Sequence, residues 1–415
     1  MARMSMRAFL SRAKQTLHQL LESNGNVHAS FVIGNESADL DSITCALVYA
    51  YIQSSSAISR KNDKYWIPIT NIPQADLSLR PELTALLRHA DLKPADLITL
   101  DDIGGIETKV SPDNTTWTLV DHNVLQGEVG KRYSRHVTGV IDHHEDEGQV
   151  SQHADPRVIA KTGSCNSLVV NYCRSAWDDV SGLATNVGAA HGQDDRAVDD
   201  FAYTSTWDAH VAKLSLGAIL IDTNQLKSKD KTTDHDRKAV KYLEAKIGIS
   251  RKIGPSYDRA SFFQELIEAK LSLDDLSFTD LLRKDFKQWT EGGLTLGMAS
   301  CVRSLEYMQQ KSNDFAADSI EFAKSRELDL FAIGASHRDR GSHERQLLLI
   351  AVKEGRPVEV AKKFEQTCAR DLQLHMNEAT ATSTSNWAPH FRSWEQKNLA
   401  ASRKQIAPLL RSCMQ

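Results

Sequence analysis

Short apolar runs alternate with helical patterns throughout the first half of the chain. The runs that favour β-strands are 30–34, 65–70, 96–102, 117–122, 137–144 and 217–223. Between several of them, apolar residues recur every three or four positions, as in helices, over 40–53, 163–177 and 195–213. Strands that alternate with helices indicate βαβ units and a largely parallel sheet, which is normally covered by helices on both faces. We therefore predict an α/β fold for this half.

The pattern changes in the second half of the chain. Residues 227–248 are charged and helical, and residues 249–258 include Gly254–Pro255, which is typical of a linker. Beyond the linker, helical patterns over 259–271 and 358–374 are mixed with strand-like runs over 294–302, 329–336 and 345–352. A Ser/Thr-rich loop is predicted over 377–389. We predict an N-terminal domain over 1–248, a linker over 249–258 and a smaller α+β domain over 259–415.

Acidic residues follow four of the predicted strands at the point where each strand ends. Asp121, Asp142 and Asp222 each close an apolar run, and Asp39 and Asp41 lie just beyond the run at 30–34. Aspartate is a common turn residue, so any one of these positions has a simple structural explanation. Because ligands of parallel sheets bind at the carboxyl ends of the strands, the four together favour one shared site.

Two of these strand ends also carry histidine, in "LVDHN" (119–123) and "VIDHH" (140–144). Carboxylate and imidazole ligands suit Mn²⁺, Mg²⁺ or Co²⁺ better than a structural zinc site, which prefers thiolates. Two such ions about 3.5–4 Å apart activate water and stabilise both oxygens of an in-line displacement. Phosphoryl transfer needs little more than positive charges that hold the phosphates. The residues alone therefore predict a phosphoryl hydrolase with two divalent metal ions.

Composition and charge narrow the class of protein. Among 415 residues, 41% are hydrophobic and 25% are charged, as in ordinary globular proteins. No apolar stretch approaches the roughly 20 residues of a membrane helix, so we expect no membrane partner. The net charge is −4, with the acidic excess in residues 1–250, and we expect no nucleic-acid partner. We expect a monomer.

The six cysteines are scattered, and none forms a CxxC pair that would suggest a zinc knuckle or a disulfide framework. This pattern favours a reducing, cytoplasmic location. The basic N-terminus has no acidic residue before Glu22 and resembles a mitochondrial presequence, whereas the spacing of its apolar residues indicates an amphipathic first helix. Ser164, in "TGSCNS" (162–167), is predicted to cap a helix, or the backbone there to hold an anion.

Four ordered motifs resemble the DHH phosphoesterase superfamily: "GNESADLDS" (34–42), "LVDHN", "VIDHH" and "LIDT" (220–223). The segments "RKDFKQW" (283–289) and "ASRKQIAPLL" (401–410) resemble the two basic motifs of the DHHA2 domain. That domain occurs in family II inorganic pyrophosphatases, eukaryotic exopolyphosphatases and prune-like phosphodiesterases. The resemblance covers about residues 30 to 410.

The resemblance also implies roles for individual residues. Asp39 and Asp41 would bind different metal ions, and Asp121 would bridge the two. His143 and Asp222 would complete the second metal site.

The resemblance further implies that His144 faces the substrate phosphate and that Asp142 orients a histidine. Together with Asp121 and His143, these two residues form the predicted catalytic set.

The basic residues Lys287, Arg403 and Lys404 would, by the same resemblance, close over the substrate and hold its phosphates. A solvent-exposed position without function is the alternative for Lys287. His337 lies in the basic stretch 336–345, which either extends this phosphate-binding surface or forms an ordinary solvated loop.

The first motif departs from the pyrophosphatase pattern at Asn35, where pyrophosphatases of this family usually have histidine. An amide oxygen is a weaker ligand for transition ions than an imidazole nitrogen, so Asn35 should relax the dependence on manganese and favour Mg²⁺ or a vacant position. Asparagine here resembles the exopolyphosphatases and prune-like proteins. Prune-like proteins usually carry DHR, so His144 favours an exopolyphosphatase.

We therefore expect an exopolyphosphatase that hydrolyses terminal phosphoanhydride bonds of inorganic polyphosphate and releases orthophosphate. The alternatives are a pyrophosphatase or a prune-like phosphodiesterase acting on short phosphoanhydrides or nucleotides, and a polyphosphate-binding protein without turnover.

Overall fold

The structure is a computed structural model, and it describes residues 4–22, 28–56, 65–189, 195–274, 276–339, 341–376 and 388–415. The chain divides into two compact units, Met1–Lys270 and Leu271–Gln415. Each unit has its own sheet and its own hydrophobic core.

The first unit is built on a five-stranded sheet in which every strand is parallel to its neighbours, in the order β2-β1-β3-β4-β5. Its strands are β1 Ala29–Ile33, β2 Trp66–Ile69, β3 Thr115–Val120, β4 Val137–Asp142 and β5 Arg157–Ile159. Because β1, β3 and β4 are neighbours in the sheet, the loops that follow them leave the same edge side by side. This edge is where the sequence predicted the site.

Helices cover both faces of this sheet, as predicted. They are α1 Met6–Glu22, α2 Leu40–Ser55, α3 Pro81–Arg88, α4 Ile106–Lys109, α5 Gly127–Tyr133, α6 Cys165–Ala189, α7 Asp195–Asp222, α8 Asp234–Ile249 and α9 Arg259–Leu271. Short 3-10 helices span Gln74–Leu79, Pro94–Asp96, Pro112–Asn114, Ser134–His136 and Gly254–Ser256. Successive strand residues point to opposite faces, so Val120 joins the core beneath α2 while its neighbour Leu119 joins the core on the other face.

Two of the predicted strands are wrong. Residues 217–222 are the end of α7, with a turn at Thr223, and residues 96–102 contribute only the isolated bridge between Thr70 and Thr99. A short apolar run at the buried end of a helix has the same sequence pattern as a buried strand, so periodicity alone does not separate them. Asp222 is therefore the last residue of a helix.

The predicted linker contains the short helix Gly254–Ser256 but does not end the first unit. Helix α9, which we assigned to the second domain, buries Phe262, Phe263 and Leu266 in the core of the first unit. Burial of such side chains contributes about 1.5–3 kcal/mol each, which is enough to hold a helix of this length on that core.

The N-terminal helix is part of the same unit. Its apolar stripe of Met6, Phe9, Leu10, Ala13, Leu17 and Leu20 is buried. This burial supports the interpretation as an amphipathic first helix. Among the described residues, no helix is long and apolar enough to cross a membrane.

The second unit contains a mixed six-stranded sheet in the order β10-β11-β9-β8-β7-β6. Its strands are β6 Phe286–Glu291, β7 Leu294–Cys301, β8 Leu330–Asp339, β9 Ser342–Ala351, β10 Leu374–Met376 and β11 His390–Gln396. Its helices are α10 Phe278–Lys284, α11 Leu305–Gln310, α12 Phe315–Ser325, α13 Arg356–Leu372 and α14 Arg403–Met414. The predicted α+β architecture is confirmed, whereas most of the predicted Ser/Thr-rich loop lies outside the described residues.

Candidate metal centre

Asp121 lies at the centre of the candidate site, directly after β3. Its side chain is only 2% exposed, and its backbone has a φ of +62°, a left-handed conformation that aspartate tolerates better than most residues. One carboxylate oxygen, Oδ1, lies 3.2 Å from Nε2 of His143 and 3.9 Å from Nδ1 of His144. The other oxygen, Oδ2, accepts a hydrogen bond from the amide nitrogen of Asn35 at 2.8 Å.

The two histidines that follow β4 are held in different orientations. Nδ1 of His143 lies 3.0 Å from the carbonyl oxygen of Thr162, to which it donates, so that Nε2 turns toward Asp121. Nδ1 of His144 instead lies 2.8 Å from Oδ1 of Asp142. The His144 side chain is 39% exposed, and the opposite edge of its ring is left for other contacts. A backbone carbonyl or a carboxylate behind the ring is the usual arrangement for histidines that bind metals.

Asp142 is fully buried, and its Oδ1 lies 2.8 Å from Nδ1 of His144. Its Oδ1 also accepts the backbone N–H of His143 at 2.7 Å, and its Oδ2 accepts from the side chain of Asn123 at 2.6 Å. Burial opposes ionisation, yet the hydrogen bonds from His144 and Asn123 lower the pKa of Asp142. The carboxylate of Asp142 therefore fixes the ring of His144.

The loop after β1 supplies the first motif. Asp39 is the N-cap of α2 and accepts from the backbone N–H of Ser42 at 3.0 Å. Asp41 is buried and accepts from Ser164 Oγ at 2.6 Å and from the backbone N–H groups of Cys165 and Asn166 at 2.7 and 2.9 Å. The carboxylate of Asp41 thus lies at the N-terminus of α6, where the helix dipole favours negative charge.

Asn35 takes a different part from the one we predicted. Its side-chain oxygen accepts from the backbone N–H groups of Ser37 and Ala38, so it points into its own loop, and its nitrogen donates to Asp121. Exchanging the amide's oxygen and nitrogen would place N–H groups against N–H donors on one side and oxygen against carboxylate on the other. The arrangement makes Asn35 a support of Asp121 and does not match a direct metal ligand.

The acids of the site repel one another. Burial, together with the nearby carboxylates of Asp41 and Asp39, raises the pKa of both Asp121 and Asp222 well above the usual range of aspartate. Burial also disfavours a charged His143, but the nearby carboxylates of Asp121 and Asp41 raise the pKa of His143 to about 10. The site therefore favours bound positive charge.

These residues fit a divalent metal ion. Ligand atoms of Asp121, His143 and His144 all lie within 4.8 Å of one another, the one such group among the described residues. Oδ1 of Asp121 and Oδ2 of Asp222 are buried and accept no hydrogen bond of good geometry, so each has a lone pair available to a cation. Asp39, Asp41 and Asp222 lie nearby but are not part of this group, because their ligand atoms do not all lie within that distance of the others.

The predicted phosphate-binding residues lie in the second unit. Arg403, at the start of α14, pairs with Asp285: its Nη1 is 2.7 Å from Oδ1 and 2.9 Å from the carbonyl oxygen. Lys287 is half-buried on β6, and Lys404 is exposed. His337, near the end of β8, lies 3.5 Å from the carboxylate of Glu344 across the hairpin.

Two supporting residues were missed from the sequence. Asn123 donates to Asp142 and to the carbonyl oxygen of Glu145, and only its place in "LVDHN" hinted at a role. Buried Arg80 donates to the carbonyl oxygens of Ser37 and Ala38, and thereby holds the loop before Asp39. Nothing in the sequence around Arg80 marks it, because its partners are backbone atoms about 40 residues away.

Comparison with known proteins identifies the class. Residues 30–190 match the DHH family, N-terminal domain, and residues 264–413 match the DHHA2 domain. A Schizosaccharomyces pombe protein named "Putative exopolyphosphatase" is 35% identical over 98% of this chain and 97% of its own length. The chain therefore belongs to the DHH family, in the group whose members carry a C-terminal DHHA2 domain.

More distant relatives also match most of this chain. The human protein "Exopolyphosphatase PRUNE1" is 25% identical over 92% of this chain and 75% of its own length. The crystal structure of a Methanococcus jannaschii protein, described as a "putative family II inorganic pyrophosphatase", matches with a TM-score of 0.52 over 93% of this chain and 99% of that one. At 20% identity this match shows the shared α/β fold.

Proposed function

We propose that this protein is an exopolyphosphatase that uses two divalent metal ions to release orthophosphate from the ends of inorganic polyphosphate. The observation that carries the proposal is the cluster of Asp121, His143 and His144, close to the further carboxylates of Asp41 and Asp39, whose charges raise the pKa of Asp121. The S. pombe relative's name supports polyphosphate as the substrate.

The proposed metal ligands are Asp39, Asp41, Asp121, His143 and Asp222. Mn²⁺, Mg²⁺ or Co²⁺ held there would supply an activated water at neutral pH and neutralise charge on the phosphates. The hydrogen bond from His143 Nδ1 to Thr162 keeps the Nε2 lone pair directed at the position beside Asp121. Asp142 holds Nδ1 of His144, so that the opposite ring nitrogen is left to face a phosphate, to which it would donate when the ring carries both protons.

The residues Lys287, His337, Arg403 and Lys404 are proposed to bind the remaining phosphates of the chain. Arginine can grip a phosphate with two parallel hydrogen bonds, whereas lysine offers a compact charge. These residues would then hold the phosphates next to the end of the polyphosphate chain while its last phosphate is attacked.

Phosphate release from pyrophosphate, tripolyphosphate and long polyphosphate, each with Mg²⁺, Mn²⁺ or Co²⁺ and with chelator, tests the proposal. We expect metal-dependent release from tripolyphosphate and long polyphosphate that exceeds release from pyrophosphate. Preference for pyrophosphate or for a nucleotide would replace the proposal with the pyrophosphatase or prune-like activity. Binding of polyphosphate without release would identify a binding protein.

Asn35→His should change both metal choice and substrate preference. An imidazole at this position offers a nitrogen ligand in place of an amide that donates to Asp121, so binding of Mn²⁺ or Co²⁺ should strengthen and activity should shift toward pyrophosphate. The measurement is the ratio of pyrophosphate to tripolyphosphate hydrolysis in each metal. Asn114→His, at the opposite end of β3, is the control. An unchanged ratio would show that position 35 does not set specificity.

A further inference from the structure

A buried carboxylate outside the candidate site accepts hydrogen bonds from a loop, and three residues of the candidate site depend on that loop. Asp236, in the first turn of α8, is 0% exposed, and its two oxygens accept six hydrogen bonds. Two of them come from Thr233 and form the local helix cap, with distances of 2.7 and 2.9 Å. The other four come from residues 162–167, about 70 residues earlier in the chain, which comprise the loop before α6 and the first residues of that helix and are called the loop 162–167 below.

Those four donors are the hydroxyl of Thr162, the backbone N–H groups of Gly163 and Ser164, and the hydroxyl of Ser167, at 2.8, 3.0, 3.3 and 2.7 Å. The approach of the carboxylate is close. A Cβ added at Gly163 would lie 3.1 Å from Oδ2 of Asp236 and only 2.6 Å from a methyl carbon of Thr223. The loop is therefore fixed between α8 and the end of α7.

The opposite side of the same loop faces the proposed metal ligands. The carbonyl oxygen of Thr162 receives the hydrogen bond that orients His143, and Ser164 Oγ donates to Asp41 at 2.6 Å. Gly163 packs on Thr223, the residue next to Asp222. One loop thus contacts three predicted ligands or their neighbours, and each contact depends on where the loop's backbone lies.

We propose that Asp236 is a positioning residue, which holds the loop 162–167 in place so that His143, Asp41 and Asp222 keep the spacing that metal binding needs. This inference rests on the proposed function, because it assumes that those three residues bind metal. Asp236 can hold the loop firmly because four of its six hydrogen bonds come from the loop to one charged carboxylate, and charge-assisted hydrogen bonds are stronger than neutral ones.

Asp236→Asn tests this role without changing the size of the side chain. An asparagine has one acceptor oxygen, and either orientation of its amide would place N–H groups against donors, so the loop should loosen. Asp208→Asn is the matched control, because Asp208 is a buried carboxylate of the same unit that accepts from Trp177 and Ser181 away from the site. Both variants should lower the melting temperature.

The distinguishing readout is Mn²⁺ affinity, measured by titration calorimetry on the full chain. We expect Asp236→Asn to bind Mn²⁺ about 10–100-fold more weakly, the usual effect of removing a residue that orients a metal ligand, and Asp208→Asn to stay within twofold of wild type. Hydrolysis by Asp236→Asn should recover toward the wild-type rate as the Mn²⁺ concentration rises. Wild-type affinity in Asp236→Asn would refute the positioning role and leave a purely structural carboxylate.

Thr162→Val provides an answer even if Asp236→Asn does not fold. Valine removes only the hydroxyl that donates to Asp236 and keeps the carbonyl that accepts from His143, so a smaller loss of Mn²⁺ affinity, several-fold, is expected. An unchanged affinity would count against the proposal. If the wild-type protein binds no Mn²⁺ and releases no phosphate, the proposed function itself is refuted. If the wild-type protein binds Mn²⁺ and releases phosphate but the variants behave like it, only the positioning role is refuted.

Discussion

Asp121→Ala should abolish hydrolysis while leaving the fold intact. Asp121 has a carboxylate oxygen close to the rings of both His143 and His144, and it is proposed to bridge the two metal ions. Both ions would lose a ligand, so phosphate release from tripolyphosphate should fall by at least three orders of magnitude, about 4 kcal/mol in the barrier.

The fold should survive because the lost carboxylate is unfavourable without metal. Burial and the charges of Asp41 and Asp39 raise the pKa of Asp121, so its ionised form destabilises the metal-free protein. Thermal melting should show a metal-free variant close to wild type, and added Mn²⁺ should stabilise wild type but hardly stabilise the variant.

Asp113→Ala serves as the control, because Asp113 is an exposed acid at the opposite edge of the same sheet. It should change neither hydrolysis nor stabilisation by Mn²⁺. Hydrolysis by Asp121→Ala at a rate near that of wild type would show that the candidate site is not where the reaction occurs.

Arg403→Lys should impair the reaction although it keeps the charge. Lysine cannot form the two parallel hydrogen bonds that arginine forms with a phosphate. Losing one charge-assisted contact costs about 1.5–3 kcal/mol, so kcat/KM for tripolyphosphate should fall roughly ten- to more than a hundredfold. Mn²⁺ affinity should not change, because none of the proposed metal ligands lies in the second unit.

Arg411→Lys is a control on the same helix. Arg411 pairs with Glu291 at 2.9 Å, much as Arg403 pairs with Asp285, so both variants lose a comparable ion pair. Lys404→Ala extends the test to the neighbouring charge. If Arg403→Lys and Arg411→Lys have the same small effect on kcat/KM, or if Mn²⁺ affinity falls together with activity, Arg403 does not hold the substrate.

The sequence pattern predicts strands correctly where an apolar run is short and is bounded by turns. The runs that became β1, β3 and β4 end in Ile33, Val120 and Asp142, and each is followed at once by residues of the site. The run at 217–223 failed because the end of α7 is buried on several sides and so shows no polar face. The error changed the element that carries Asp222, which remains one of the proposed metal ligands.

The sequence by itself determined the two-unit α/β architecture, the family and the acids and histidines that gather at one sheet edge. It did so because strand ends and motifs are local in the chain, and parallel strands bring their carboxyl ends together. Only the tertiary structure decided that Asn35 donates to Asp121, that Arg80 holds the first loop and that Asp236 holds the loop 162–167. These contacts join residues 42 to 86 positions apart, largely through backbone atoms, and backbone atoms leave no trace in the identity of their residues.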